Sequence, residues 1–379
     1  MPYVTISIQP KMRQITFEDI INGCDLSAFE VSKDTRDTRT HYTNTVSQHL
    51  LEKTNFHNMY LVLQAFNCKY KSLIDNPDKS SLYRSFKIPK RSGGLRNIDA
   101  PDEDLMIALR ELKIILEKNF YASYHTSAFA YIKGRSTIDS VKRHQKNNSR
   151  WFLKLDVSGF FPSTTPDFLF KMLKQTYPIS EFVTVAAYEA ELEKALSLCF
   201  LNGGLPQGTP ISPMLTNMMM IPIDHAIAKM CREYSPHLCY TRYADDFLIS
   251  SQFSFHWTDV QNKINEIFKN FKVPFALNEK KTRYGSSSGR NWNLGVMLNK
   301  DNNITIGHEK KKVFKAMIFQ FMTDDKNGRC WAVEDVQHLL GLISYYRMVE
   351  EDDINKIIDS YSSKFGKDVM STAKAILNP

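Results

Sequence analysis

The chain has 379 residues, 42% hydrophobic and 24% charged, enough to bury a sizeable core and too ordinary in charge for global disorder. Its 49 Lys and Arg outnumber 41 Asp and Glu, the pI is near 9.0, and polyanions are the expected partners of such a surface. Six scattered cysteines (Cys24, Cys68, Cys199, Cys231, Cys239, Cys330) form no C-x-x-C pair, which argues against a zinc site and against a disulfide framework.

The opening MPYVTISIQPKMRQ lacks a basic region followed by an apolar core, and no run of about eighteen apolar residues could span a bilayer. The expectation is a reduced, cytoplasmic protein without a membrane partner. Residues 43–70 carry helical periodicity through Leu50, Leu51, Met59, Leu61, Val62 and Phe66, and read as a helical lead-in. Gly93-Gly94 sits between strand-like runs at 83–89 and 95–98, which predicts a hairpin. Asp102, Glu103 and Asp104 open an amphipathic helix whose apolar stripe is Leu105, Leu109, Leu112, Ile115 and Leu116. Between Lys79 and Arg150 there are 15 Lys and Arg against 7 Asp and Glu, a local +8 that equals the surplus of the whole chain. Such a concentration suits one face tracking a phosphate backbone.

Residues 151–157 read as a strand, followed by a helix over 166–175. A Gly- and Pro-rich turn at 202–213 leads into an apolar helix predicted over 214–230. Two short strands around an acidic turn are expected over 239–250. Residues 310–322 read as a helix, with Val313, Phe314, Met317, Ile318 and Phe321 on one face. The order of strands and helices fits the α+β class.

Two carboxylate motifs carry the chemistry. Tyr243-Ala244-Asp245-Asp246 places two like charges side by side between apolar runs, which costs free energy unless a cation or a proton compensates. Asp156, in FLKLDVSGFFPS, ends the strand that begins at Trp151. Alone, the acidic pair reads as an ordinary turn, and Asp156 as a turn aspartate or a helix N-cap. Together they fit hard divalent cations held by oxygen ligands from neighbouring strands.

The residues LKLDVSGFFPS and YADD, in that order, resemble the metal-binding motifs of reverse transcriptase palms. Between them, NGGLPQGTPISPMLTN is similar to the nucleotide- and template-contacting motif of prokaryotic reverse transcriptases. FKIPKRSGGLRNIDAPDEDL resembles the fingers motif of retrons and group II intron proteins, while LNEKKTRYG and NLGVMLN resemble the last palm motif and the primer grip. The match runs from about residue 80 to about residue 350. The resemblance implies an α+β right-hand polymerase fold with fingers, an RRM-like palm of antiparallel sheet backed by helices, and a helical thumb. It further implies an N-terminal helical accessory region at 1–80, fingers at 81–150, palm at 151–300 with part of the fingers inserted, and thumb at 301–379.

Carried onto this chain, the resemblance makes Asp156 and Asp245 the bridging ligands of two Mg2+ ions, with Mn2+ as a substitute. Asp246 supports them and the Val157 carbonyl adds an oxygen. The amides of Gly159 and Phe160 lie near the triphosphate, and Phe161 excludes a 2′-hydroxyl. Lys90 and Arg96 close over the incoming phosphates, with Lys87 and Arg91 beside them. Gln207 and Gly208 contact the nucleotide, and Lys281 (or its neighbour Lys280) protonates the leaving pyrophosphate. Arg135, Arg242, Lys310 and Lys311 are the remaining nucleic-acid contacts, Arg242 alternatively bracing the acids.

The implied partners are dNTPs, a structured non-coding RNA serving as template and primer, the DNA product in an RNA–DNA duplex, and an effector protein or a second copy of the chain. Antiphage defence is part of the same implication. The chain departs from retrons where IDSVKRH keeps only His144 of their Asn-Ala-x-x-His string, where NWNLGVMLN lacks Val-Thr-Gly, and where Ala130-Tyr131 replaces Gly-Phe. Two other readings compete: a protein-primed or template-independent polymerase, and a catalytically silent RNA-binding scaffold.

Overall fold

A computed structural model describes residues 5–6, 13–14, 55–89, 93–119, 124–235, 237–287 and 295–377. Two compact units share them: residues 1–122, 173–202 and 206–211 make the first, and 123–172, 203–205 and 212–379 the second.

In the first unit, helix α1 (residues 55–69) buries Met59, Leu63 and Phe66. The rest of the expected lead-in lies outside the described residues. Strands β1 (Tyr83–Pro89) and β2 (Leu95–Pro101) form the expected antiparallel hairpin, with Tyr83 opposite Pro101 and Pro89 opposite Leu95. Helix α2 (Glu103–Asn119) follows, its first turn capped by Asp102, whose Oδ1 accepts from the Leu105 amide at 2.8 Å. All five residues of its predicted stripe are buried, since their 3- and 4-residue spacing keeps them on one face.

The second unit begins with helix α3 (Thr137–Lys146), opened by a capping box between Ser136 and Asp139. Strand β3 (Trp151–Ser158) is central, and helix α4 (Pro166–Leu173) follows it. The single predicted helix over 214–230 is two: α5 (Ser212–Met219) and α6 (Ile221–Tyr234). Pro222 accounts for the break, because it lacks an amide and is tolerated only in a first turn. Strands β4 (Cys239–Tyr243) and β5 (Asp246–Ser251) flank the two-residue acidic turn.

Helix α7 (Trp257–Phe271), β6 (Ala276–Leu277) and β7 (Arg283–Ser286) complete an antiparallel sheet of order β4-β5-β3-β6, with β7 also paired to β3. Beyond it, β8 (Met297–Leu298) and β9 (Ile304–Thr305) lead into helices α8 (His308–Lys326), α9 (Val333–Phe365, kinked at Glu350, whose φ of -145° and ψ of 69° are not helical) and α10 (Val369–Leu377). These three helices bury a core of their own around Phe314, Ile318, Phe321, Leu339, Ile343 and Ile354. Val313, expected on that apolar face, is instead 62% exposed, one residue out of phase with Phe314. The resulting architecture is α+β, as the order of elements predicts.

Candidate active site

Asp156 and Asp246 face each other directly across β3 and β5. The pairing of β3 with β5 ends at this point, where the β4–β5 turn begins, so sheet pairing alone sets the two carboxylates side by side. The turn is tight: Ala244 takes a left-handed φ of 56°, and the Asp245 carbonyl accepts from the Val157 amide at 3.1 Å. Asp245 is thereby tied back to the strand that carries Asp156. Burial, reinforced by the charge of Asp246, raises the Asp245 carboxyl above the usual carboxylate range. Burial raises Asp246 as well, against the opposing pull of Lys154.

Among the described residues these side chains are not gathered into a closed cage of ligands. They are an open row with a lysine at each end. The Lys281 ammonium is 3.0 and 3.1 Å from the two oxygens of Asp156, and the Lys154 ammonium is 3.2 Å from Asp246. An open row of hard oxygen donors suits a cation such as Mg2+, which takes one or two carboxylates and completes its shell with water and substrate phosphates. Mutual repulsion and burial give the row a net demand for positive charge, so the donor set fits divalent cations.

The turn is braced from below by Arg242, a side chain with no exposed surface. Its Nε and Nη2 bind both oxygens of the equally buried Asp224 on α6, at 2.8 to 3.1 Å. Its Nη1 donates to the Ala244 carbonyl at 3.2 Å and to Asn217 Oδ1 at 3.1 Å. Asn217 in turn donates to the Ala130 carbonyl at 2.7 Å. This corrects the expectation of a nucleic-acid contact: a fully buried guanidinium cannot reach a duplex, and the bracing alternative describes it. Sequence reading missed Asp224 and Asn217, although a lone acid within an apolar helix is a signal that a buried cation is near.

Two adjacent aromatics divide their tasks. Phe160 is 3% exposed and packs edge-on against Phe275. Phe161 is half-buried, the ring of the pair left accessible. Gly159, at φ 66°, is the residue whose backbone turns the chain between Asp156 and these rings. A Cβ at Gly204 would lie 2.0 Å from the Pro162 carbonyl oxygen, so the loop 203–205 can close on this segment only with glycine there.

His144 is wholly buried, its Nδ1 2.5 Å from Ser250 Oγ and its Nε2 2.7 Å from Thr241 Oγ1. It fastens α3 to β4 and β5, the strands that carry the acidic turn. Arg135 Nη1 donates to the carbonyls of His125 and Ala128 at 2.8 and 2.7 Å, ordering the loop that leads to α3. The Lys310 ammonium reaches the Gly295 carbonyl, and Lys311 pairs with Glu350 and Asp353 at 2.7 Å each. A cleft of about 1490 Å³ opens beside Asp156, lined by Lys154, Lys281, Arg283, Lys300, Lys310 and Lys311 and by the acidic run 350–353.

In the first unit, Lys87 and Arg96 are exposed on the hairpin. Lys87 is opposite Asn97 and Arg96 opposite Ile88, so side-chain alternation puts the two cations on opposite faces of the ribbon. Lys90 and Arg91 lie outside the described residues. The Gln207 carbonyl accepts from the Asp99 amide at 2.8 Å. A Cβ on Gly208, at φ 128°, would come within 2.8 Å of the Asp99 carbonyl oxygen. The backbone that Gly208 admits is thus the hairpin's own.

A family model described as reverse transcriptase (RNA-dependent DNA polymerase) matches residues 88–318. The chain is 30% identical over 305 residues to the retron Ec83 reverse transcriptase of Escherichia coli, covering 77% of this chain and 89% of that protein. It is 28% identical over 293 residues to the retron Mx65 reverse transcriptase of Myxococcus xanthus, covering 73% of this chain and 63% of that one. A solved telomerase from Candida tropicalis, in complex with a fragment of telomeric RNA, is similar at 15% identity and a TM-score of 0.46, covering 78% of this chain and 60% of that one. That last likeness is too slight to carry an argument. The match of the family model to more than half the chain, and the extent of its likeness to the Ec83 enzyme, show that the chain belongs to the reverse transcriptases, RNA-dependent DNA polymerases, and that it is retron-like.

Proposed function

We propose that this chain extends a primer with deoxynucleotides on a structured non-coding RNA that supplies both template and priming end, using two Mg2+ ions, with Mn2+ as a substitute. The observation that carries the reading is the convergence of Asp156, Asp245 and Asp246 from adjacent strands at one end of the sheet. Asp156 and Asp245, with the Val157 carbonyl, hold the cations and Asp246 supports them. When bound, such ions would supply Lewis-acid stabilisation of the 3′-oxygen and offset charge on the triphosphate.

The primer 3′-hydroxyl gives up its proton to solvent water as its oxygen bonds the α-phosphorus and the bond to pyrophosphate breaks. Lys281, or its neighbour Lys280, gives the leaving group a proton. The half-buried Phe161 excludes the 2′-hydroxyl, while the Gly159 and Phe160 amides lie along the triphosphate. Residues 1–80 are an accessory region, and the hairpin with Lys87, Lys90, Arg91 and Arg96 belongs to fingers at 81–150. Gln207 and Gly208 contact the nucleotide from the part of the fingers inserted in a palm at 151–300. The helices of 301–379 form a thumb that tracks the RNA–DNA duplex. On this reading Lys310 and Lys311 leave their present acceptors for phosphates.

The protein works in the cytoplasm and serves antiphage defence, with an effector protein or a second copy as partner. The test is the DNA made by protein purified with its own RNA. A product that shortens with RNase and ignores protease fits priming from RNA. A product that shifts only with protease would replace this reading with protein priming, and tight RNA binding without any product would replace it with a scaffold.

A further inference from the structure

The two-cation reading leaves one ammonium unexplained. Lys154 lies two residues before Asp156 on β3, so both side chains rise from the same face of the sheet. Asp246 is opposite Asp156 and Leu248 is opposite Lys154, which makes Lys154 and Asp246 a diagonal pair on that face. Their charged atoms are 3.2 Å apart, and each side chain is 25% exposed. Lys281, at the other end of the row, is 59% exposed and comes from a short turn. Lys154 is different: its backbone is paired on both sides, to Leu248 on β5 and to Arg283 on β7. Its stem is anchored within the sheet. Among the described residues neither lysine forms an ion pair with Asp245.

We propose that Lys154 is a positioning residue for the cation site: it holds Asp246 to the flank of the carboxylate row, so that Asp156 and Asp245 carry the cations. The proposal rests on the two-cation reading above. Without the ammonium, the row gains one net negative charge and Asp246 is released to compete as a ligand. Cations then bind more tightly but in the wrong arrangement for transfer. Loss of the charge alone predicts the tighter binding; the wrong arrangement for transfer is what a simple exposed ion pair does not predict.

The test compares wild type, Lys154→Met, Lys154→Arg and Asp245→Asn. Mn2+ binding to the nucleic-acid-free protein is measured by the loss of the free-ion resonance signal, and steady-state DNA synthesis is measured in parallel. Lys154→Met is expected to tighten Mn2+ binding roughly three- to tenfold. It should also lower kcat by about tenfold or more with little change in KM for the deoxynucleotide. Lys154→Arg, which keeps the charge, is expected to restore both. Wild-type Mn2+ affinity and kcat in Lys154→Met, or failure of Lys154→Arg to restore them, would overturn the assignment. If wild type shows no Mn2+ binding that Asp245→Asn removes, the two-cation reading itself falls, and the role of Lys154 with it.

Discussion

Arg242 and Asp224 form a two-pronged ion pair with no solvent exposure on either side chain, directly beneath the turn that carries Asp245 and Asp246. Tyr240 adds a third contact, its hydroxyl donating to Asp224 Oδ1 at 2.7 Å. The pair sets the geometry of the turn because the same guanidinium holds the Ala244 carbonyl, at the one residue there with a left-handed backbone. Removing Asp224 leaves a buried cation without its counter-charge. Asp224→Ala is therefore expected to lose about 3–5 kcal/mol of unfolding free energy in a urea titration. A loss under about 1 kcal/mol would contradict the bracing role.

Much of this was legible beforehand, for physical reasons that can be named. The strand of Asp156, the acidic turn and the Gly93-Gly94 hairpin follow from local patterns of apolar alternation and turn residues, which need no distant partner. The burial of Arg242 was not legible, because its counter-ion lies eighteen positions upstream on α6, and only the packing of that helix on the sheet brings them together. The role of Lys154 is hidden from sequence for a similar reason. Its spacing from Asp156 places it on the right face, but the target, Asp246, belongs to another strand.

His144 links stability to pH. Burial drives its pKa down to about 3, whereas the unfolded chain protonates it near an ordinary histidine value of about 6.5. Above that value both states hold it neutral and it contributes no slope. Below it the unfolded state takes up a proton that the folded state refuses, so stability falls as pH drops toward the folded value. By pH 5 the loss from this residue is about 2 kcal/mol. His125, lowered to about 4 chiefly by burial, adds to the same trend. Chemical denaturation of wild type and His144→Gln at several pH values is expected to show a shallower acid slope in the variant. Equal slopes would remove His144 from the account.

Phe160 and Phe161 are adjacent but are expected to fail differently. Phe160→Ala empties a core position against Phe275 and should cost about 3–5 kcal/mol of stability. Phe161→Ala should leave stability nearly intact and raise the relative use of ribonucleotides, by roughly tenfold or more in kcat/KM ratio. Competition assays with both nucleotide classes measure this. Unchanged discrimination in Phe161→Ala would mean that the accessible ring is not the gate.

Gly203 and Gly204 separate conformational need from space. At Gly203, with φ 78°, an added Cβ meets nothing within 4 Å, so Gly203→Asn is expected to be tolerated within about 1 kcal/mol. Gly204→Ala drives a Cβ into the Pro162 backbone and is expected to be the more destabilising by about 2 kcal/mol or more. Thermal midpoints of the two variants decide it, and the reverse order would contradict the closure of this loop.

The carboxylate row formed by β3 and the β4–β5 turn is expected to make DNA from an RNA template. The most direct measurement is deoxynucleotide incorporation, with magnesium, by protein purified with its own RNA, comparing wild type with the Asp245→Asn, Asp246→Asn double variant. Wild type is expected to make RNA-dependent DNA and the variant none, with RNA binding retained in both. Undiminished synthesis by the double variant would contradict it.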